Sequence, residues 1–386
     1  MFTVTKLIIF LIPQMISLLG SSALQMGIIW HLTLSYSSGT ILMAASIAAY
    51  IPQIIFSIIA GHIIDKRHRK LLIMLSDMVS ASLALILYSV ISAGHDSLYL
   101  YFLVLAGRSA AAGFQTPAVE SAIPFFVPIP LLEKANAIRS ALSSVVMFAS
   151  PVLAGILMSS SGLKAVIILD ILTALVAVAV VLFLHVPENE EGNSYSFVSG
   201  VRYVLSDSRI TRPLFFHLLA MLAIGPGAVL TPLIVERLFS GNPAALSLSE
   251  ASYSLGMIAG GAAAALFSCV LSRIRRIGIS LSVYGLMLFL MPISRFFILY
   301  LVMNLCIGLI SPVYSSLFIS EIQERADKSR IGQTMGIYGA VSGVFPLSLI
   351  VYGPLSDLLG IEEVFIISGA ITIFIGIVLT RRLLQR

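Results

Sequence analysis

Apolar runs long enough to cross a bilayer recur along this chain. They lie at about residues 7–30, 39–60, 71–93, 98–122, 135–159, 163–185, 213–235, 249–271, 277–294, 296–320, 331–355 and 363–380. About 20 apolar residues in helical form span the hydrocarbon core. In lipid only helices and closed barrels satisfy their own backbone groups. The runs therefore predict an all-α membrane protein with 12 transmembrane helices. Composition removes the alternatives. The chain is 58% hydrophobic and 11% charged, whereas a soluble domain carries about 25% charged residues and a disordered chain is poorer still in apolar groups. The first run follows Lys6 and continues to Trp30, too long for the apolar part of a signal peptide, so it reads as a retained helix. Cys269 and Cys306 sit in apolar stretches and offer neither a disulfide framework nor a metal spacing.

The basic residues orient the chain, because cytoplasmic loops are enriched in Lys and Arg. With both termini on one side, 19 of the 23 Lys and Arg residues fall there, grouped around Lys66–Lys70, Arg202–Arg212, Arg273–Arg276 and Arg325–Arg330. Three, Lys164, Arg237 and Arg295, fall on the other side, and Arg108 lies inside a helix. This imbalance predicts an even helix count with both termini in the cytoplasm. It also accounts for the +5 net charge without any nucleic-acid partner. The most polar internal stretch, 187–212, predicts a cytoplasmic linker between an N-terminal six-helix bundle (1–186) and a C-terminal one (213–386).

An internal repeat supports that division. Gly113, Thr116 and Pro117 in the fourth run match Gly308, Ser311 and Pro312 in the tenth, 195 residues on. Gly155 and Gly162 match Gly353 and Gly360, 198 residues on, and the basic loop from Asp65 has a degraded counterpart at Ser272–Arg276. Two parallel six-helix repeats are the arrangement of one large class of secondary transporters, with substrate held near the midplane.

Particular motifs resemble the major facilitator superfamily. The segment Gly61 to Lys70, with Asp65 followed by a basic cluster, is similar to that superfamily's signature loop. Arg108 to Pro117, Ile123-Pro124 and Lys134–Ala137 resemble the drug:proton antiporter branch that includes macrolide and enterobactin exporters. Ser150-Pro151 to Ala154-Gly155 is similar to the antiporter motif of helix 5, with Ser150 and Ala154 standing where glycines are usual. The resemblance implies a gate built from Gly61, Asp65, Arg69, Glu120, Pro151 and Gly155. In it, Asp65 sits near the start of helix 11 and Arg69 pairs with an acid on helix 4, for which Glu120 is the candidate. It also implies alternating access, by rocking of the halves about a central pocket.

Ionisable groups inside a membrane are costly and mark functional candidates. Asp170, Arg108 and Asp77 are the candidates for proton coupling, with a plain Arg108–Asp170 ion pair as the competing structural reading. Tyr101, Arg108 and Gln115 are seven apart and share a helical face. Polar stripes including Gln14 and Gln25, Tyr50 and Gln53, and Asn304 must likewise turn inward. Gln14, Gln25, Tyr50, Gln53, Tyr101, Gln115, Asn304 and Tyr338 are therefore the candidate substrate-cavity residues. His217 is a weaker candidate for carrying a proton.

The chain has no Gly-x-x-x-x-Gly-Lys-Ser/Thr phosphate loop and no His-Glu-x-x-His or Gly-x-Ser-x-Gly motif. The sequence thus predicts no catalytic residues, no metal and no cofactor. It predicts a monomeric, proton-coupled exporter of hydrophobic or amphipathic small molecules in the cell membrane. A siderophore or lysolipid transporter of the same fold is the alternative, and a membrane receptor or intramembrane enzyme is the alternative of a different class.

Overall fold

The computed structural model describes residues 4–64, 69–123, 126–127, 132–184, 197–266, 272–326 and 331–382. Regular structure among these residues is helical. In the first half α1 (Val4–Tyr36), α2 (Gly39–Ile64), α3 (Arg69–Ser92), α4 (Leu98–Ala122), α5 (Leu132–Ser161) and α6 (Leu163–Phe183) each cover one predicted span. The second half holds α7 (Phe197–Ser206), α8 (Ser208–Val229), α9 (Thr231–Phe239), α10 (Pro243–Leu266), α11 (Arg273–Leu290), α12 (Phe297–Arg325), α13 (Ile331–Ser342), α14 (Leu349–Leu358) and α15 (Ile361–Arg382).

Ten helices among the described residues meet the length and hydropathy expected of a membrane crossing. Helices α4 and α10, with 25 and 24 residues, are as long, and their hydropathy is diluted by residues such as Arg108, Gln115, Ser249 and Glu250. With them the chain presents the twelve spans of a multi-pass membrane protein.

Two predicted spans are broken. The run 213–235 divides at Leu230 into α8 and α9, where Pro232 occupies the first turn of α9. Proline fits there because the first turn needs no N–H donor. The run 331–355 is interrupted by a 3-10 turn over Phe345–Ser348 that contains Pro346, which cannot donate to the helical ladder. Within the stretch read as a linker, α7 is a short helix and α8 begins at Ser208. Asp207 caps α8 by accepting from the Arg209 N–H at 2.9 Å. Hydrogen bonds from Arg209 hold its carboxyl below the usual carboxylate range.

Contacts divide the chain into two compact units, Met1–Leu32 with Ala44–Ser194 and Thr33–Met43 with Tyr195–Arg386. The first has an apolar core around Leu7, Phe10, Ile73, Phe126 and Val181. The second is built around Leu214, Ile277, Phe318, Tyr338 and Leu379. Large apolar side chains also point outward, among them Leu103, Val145 and Ile298 at 61–70% exposure, as helices bathed in lipid require.

The second unit includes the turn from α1 into α2. Asp357, at the end of α14, accepts from the N–H groups of Gly39 and Thr40 at 2.8 and 2.9 Å and from the hydroxyls of Ser38 and Thr40, both at 2.8 Å. Arg237 of α9 donates to Asp357 at 2.8 Å, to the Ser356 carbonyl at 2.9 Å and to the Ser37 carbonyl at 2.5 Å. A carboxylate thus serves the free N–H groups of α2's first turn, the end of a helix where negative charge is favoured.

The repeat read from the sequence takes physical form at one crossing in each unit. In the first, α4 lies so close to α2 that a Cβ on Gly113 would meet the Gln53 carbonyl oxygen at 2.7 Å. In the second, α12 lies so close to α10 that a Cβ on Gly308 would run into the Tyr253 carbonyl oxygen. A polar side chain one turn earlier ties each crossing. Ser109 accepts from the Gln53 N–H at 2.9 Å, and Asn304 donates to the Ser249 carbonyl at 2.7 Å. Such small residues and interhelical hydrogen bonds hold helices together where lipid offers no hydrophobic drive.

Candidate functional site

The first unit encloses a cavity of about 390 Å³. Helix α1 contributes Gln14, Gln25 and Met26, α2 contributes Tyr50 and Gln53, α4 contributes Arg108 and Gln115, and α5 contributes Met147 and Pro151. Amides, hydroxyls and thioethers thus alternate with apolar surface, a lining suited to an amphipathic molecule. Glu120 also borders the cavity. It is half exposed and ion-paired with Arg139 of α5 at 2.8 Å.

Two buried carboxylates stand beside this cavity in contrasting surroundings. Asp170 of α6 is fully buried. It receives both terminal nitrogens of Arg108, at 2.6 and 2.8 Å, and the Ser21 hydroxyl at 3.2 Å. Arg108 gives a further hydrogen bond to the Ser80 carbonyl at 3.0 Å. This bidentate pair is the strong geometry for a guanidinium and a carboxylate, and its two charges cancel locally.

Asp77 of α3 is 1% exposed. Its Oδ1 accepts from the Ser17 hydroxyl at 2.6 Å and from the Gln115 amide at 2.9 Å. Its Oδ2 has no hydrogen-bond partner among the described residues, and the same holds for Gln14 Nε2. The buried stripe of α3, which includes Ile73, Asp77, Ser80, Ala84 and Leu87, explains why Asp77 faces protein. Gln115 both lines the cavity and touches Asp77, so it joins the two.

The remaining predicted residues scatter. Tyr101 lies in the packed core, 1% exposed, against His31 at a ring separation of 5.2 Å. Asn304 and Tyr338 belong to the second unit, where Asn304 is committed to Ser249 and Tyr338 stacks on His217 at 5.1 Å. His217 sits inside an aromatic cluster, stacked on Phe318 at 4.4 Å. Its ring nitrogens pair with the Tyr314 and Ser342 hydroxyls at 2.8 and 2.9 Å.

Of the predicted gate, Arg69 opens α3 and is buried, Gly155 is buried in α5, and Gly61 falls in the last turn of α2. Asp65 lies outside the described residues. Two features went unread in the sequence. One is the Arg237–Asp357 clasp, whose partners are over a hundred residues apart. The other is Glu250 of α10, an acid hidden among serines, which only the register of the repeat brings into view.

A profile of the Major Facilitator Superfamily matches residues 4–347. The chain belongs to that superfamily. Among its relatives is "Macrolide efflux protein A" of Streptococcus pyogenes, 30% identical over 380 residues, which cover 95% of this chain and 93% of the relative. "Multidrug efflux pump Tap" of Mycolicibacterium fortuitum is 23% identical over 359 residues, or 86% of this chain and 85% of that one.

Solved structures agree on the fold. One is a bacterial homologue of the lysosomal transporter Spinster, inward-facing and unoccupied. It aligns with a TM-score of 0.76 at 12% identity, covering 98% of this chain and 95% of that one. A bacterial homologue of the iron transporter ferroportin aligns at 0.71 and 14% identity, covering 98% and 100%. The chain is therefore a transporter of the major facilitator fold, a multi-pass membrane protein acting on small molecules.

Proposed function

We propose that this transporter exports hydrophobic or amphipathic small molecules of the macrolide and drug type across the cell membrane in exchange for protons. The relatives named for macrolide and multidrug efflux span most of the chain, which supports the substrate class. The observation that carries the coupling is the pair of unlike carboxylates beside one cavity. Asp170 is neutralised by Arg108, whereas Asp77 is buried with no cation in its hydrogen-bond set.

Asp77 is the proton site in this reading. A carboxylate in such surroundings gains from taking up a proton and pays for releasing it. Protonation weakens the charge-assisted hydrogen bonds that it accepts from Ser17 and Gln115. Gln115 is then free to turn its amide into the cavity. There it takes up space that the substrate would fill, and deprotonation draws the amide back, so proton and substrate compete through one side chain. Arg108 presents its guanidinium to the cavity while Asp170 fixes its position. The gate residues Gly61, Asp65, Arg69, Glu120, Pro151 and Gly155 control which side is open as the protein alternates access.

The excess of basic residues in alternate loops supports a cytoplasmic location for both termini and for the 187–212 linker between bundles 1–186 and 213–386. The protein works as a monomer without a cofactor and performs no catalysis. Purified protein in proteoliposomes tests the reading. An imposed pH gradient drives a macrolide uphill in vesicles that contain the protein. Flux that ignores the gradient for every amphiphile offered contradicts it.

A further inference from the structure

We propose that Glu250 anchors the cationic head of amphiphilic substrates. The proposal rests on the exporter reading and extends it to a residue in the second unit. Its first support is register. Gly113 meets α2 at Gln53 and Gly308 meets α10 at Tyr253, so α10 repeats α2 with an offset of 200 residues. The burial patterns agree. Ser46 and Leu246 are 0% and 1% exposed, Ala49 and Ser249 are 3% and 2%, and Ile55 and Leu255 are 52% and 50%. At this offset Glu250 takes the place of Tyr50, and Tyr50 lines the cavity of the first unit.

Helix geometry assigns the faces of α10 separately. At about 100° per residue, the outward Leu255 lies roughly 140° from Glu250. Gly256 and Gly260, which press against Leu305, Gly308 and Leu309 of α12, lie roughly 240° and 280° from it. Glu250 therefore belongs neither to the lipid face nor to the helix-packing face. It occupies the third face, the one that carries the cavity residues in α2.

Its surroundings leave the charge available. Glu250 has no hydrogen-bond or ion-pair partner among the described residues. The nearby polar groups are already engaged. Ser249 and Tyr300 hydrogen-bond each other at 2.8 Å, Asn304 holds the Ser249 carbonyl, and Tyr253 hydrogen-bonds with Ser311. An acid retained at membrane depth without a structural partner marks a functional site.

The neighbourhood is also aromatic. Tyr300, which interacts electrostatically with Glu250, stacks with Phe297 at 5.9 Å and leans on Phe239 at 5.3 Å. A carboxylate beside aromatic rings suits an organic cation, which gains from both.

Binding of two probes with the same phenyl groups tests this, one of them permanently charged so that its own protonation plays no part. Tetraphenylphosphonium is the cation and triphenylphosphine oxide the neutral control. Each is measured on purified wild-type protein, Glu250→Gln and Glu250→Asp. Glu250→Gln is expected to weaken tetraphenylphosphonium binding about tenfold, which corresponds to roughly 1.4 kcal/mol, and to leave the neutral probe unchanged. Glu250→Asp is expected to keep most of the cation affinity. Retained neutral binding shows that the variants are folded. Equal loss of both probes in Glu250→Gln, or unchanged cation binding, overturns the proposal while leaving the exporter reading intact. Wild-type protein that binds neither probe contradicts the amphiphile reading and this inference with it.

Discussion

The two units share a frame and differ in what they place inside it. Helix α4 crosses α2 at Gly113 and α12 crosses α10 at Gly308, each with a polar tie one turn earlier. At the repeat offsets, however, Arg108 corresponds to Met303 and Asp170 to Ser368. Ser368 spends its hydroxyl on the Ala223 carbonyl at 2.7 Å, so the position is filled without charge. The second unit shows that this frame packs with a thioether and a hydroxyl where the first unit has an ion pair. The frame alone therefore does not demand the pair, which borders a cavity.

Grafting the second unit's residues into the first gives the largest expected effect. Arg108→Met or Asp170→Ser alone strands a buried charge and is expected to destabilise by about 3–5 kcal/mol, seen as a large fall in Tm of the purified protein. The double variant removes both charges, and its Tm is expected to recover most of the way while pH-driven transport stays lost. A double variant that transports normally would reduce the pair to scaffolding.

The shared crossings come next. Gly113→Leu and Gly308→Leu are each expected to lower stability by about 1–3 kcal/mol, the range for overpacking. Gly308→Leu should be the worse, because its Cβ has less room. Unchanged thermal unfolding in either variant would mean that its crossing is not an anchor of the unit.

The polar ties should matter least. Ser109→Ala and Asn304→Ala are each expected to cost about 0.6 kcal/mol, the average for such bonds in a membrane helix bundle. The same unfolding assay would expose an asymmetry if one tie were dispensable.

The spans were legible because length and hydropathy are local properties, and the Gly113 and Gly308 motifs announced the repeat. Arg108 and Asp170 were legible as costly charges, and their pairing was one of the two readings the sequence offered. Tyr101 went astray because a seven-residue spacing drifts by about 20° per step on a 3.6-residue helix. It marks a stripe without saying which end of the stripe opens on the cavity. Asn304 and Tyr338 were legible as inward-facing, but inward in the second unit means a packed interior. Glu250 was not legible as a buried acid because Ser247, Ser249 and Ser252 surround it and blur the inward stripe. Arg237 looked like a topology marker because Ser37 and Asp357, its partners, are distant in sequence. Long-range pairing of this kind leaves no periodic trace.

Uphill flux in proteoliposomes under a pH gradient of one unit, compared between wild type and Asp77→Asn, is the most direct test. One pH unit supplies about 1.4 kcal/mol per proton, enough for about a tenfold accumulation if one proton is exchanged per substrate. The wild type should reach that order of accumulation. Asp77→Asn, which keeps the shape and the hydrogen-bonding capacity of the side chain, should still equilibrate substrate down its gradient but never accumulate it. Accumulation by Asp77→Asn equal to that of the wild type would contradict the assignment of the proton to Asp77 and the coupling built on it.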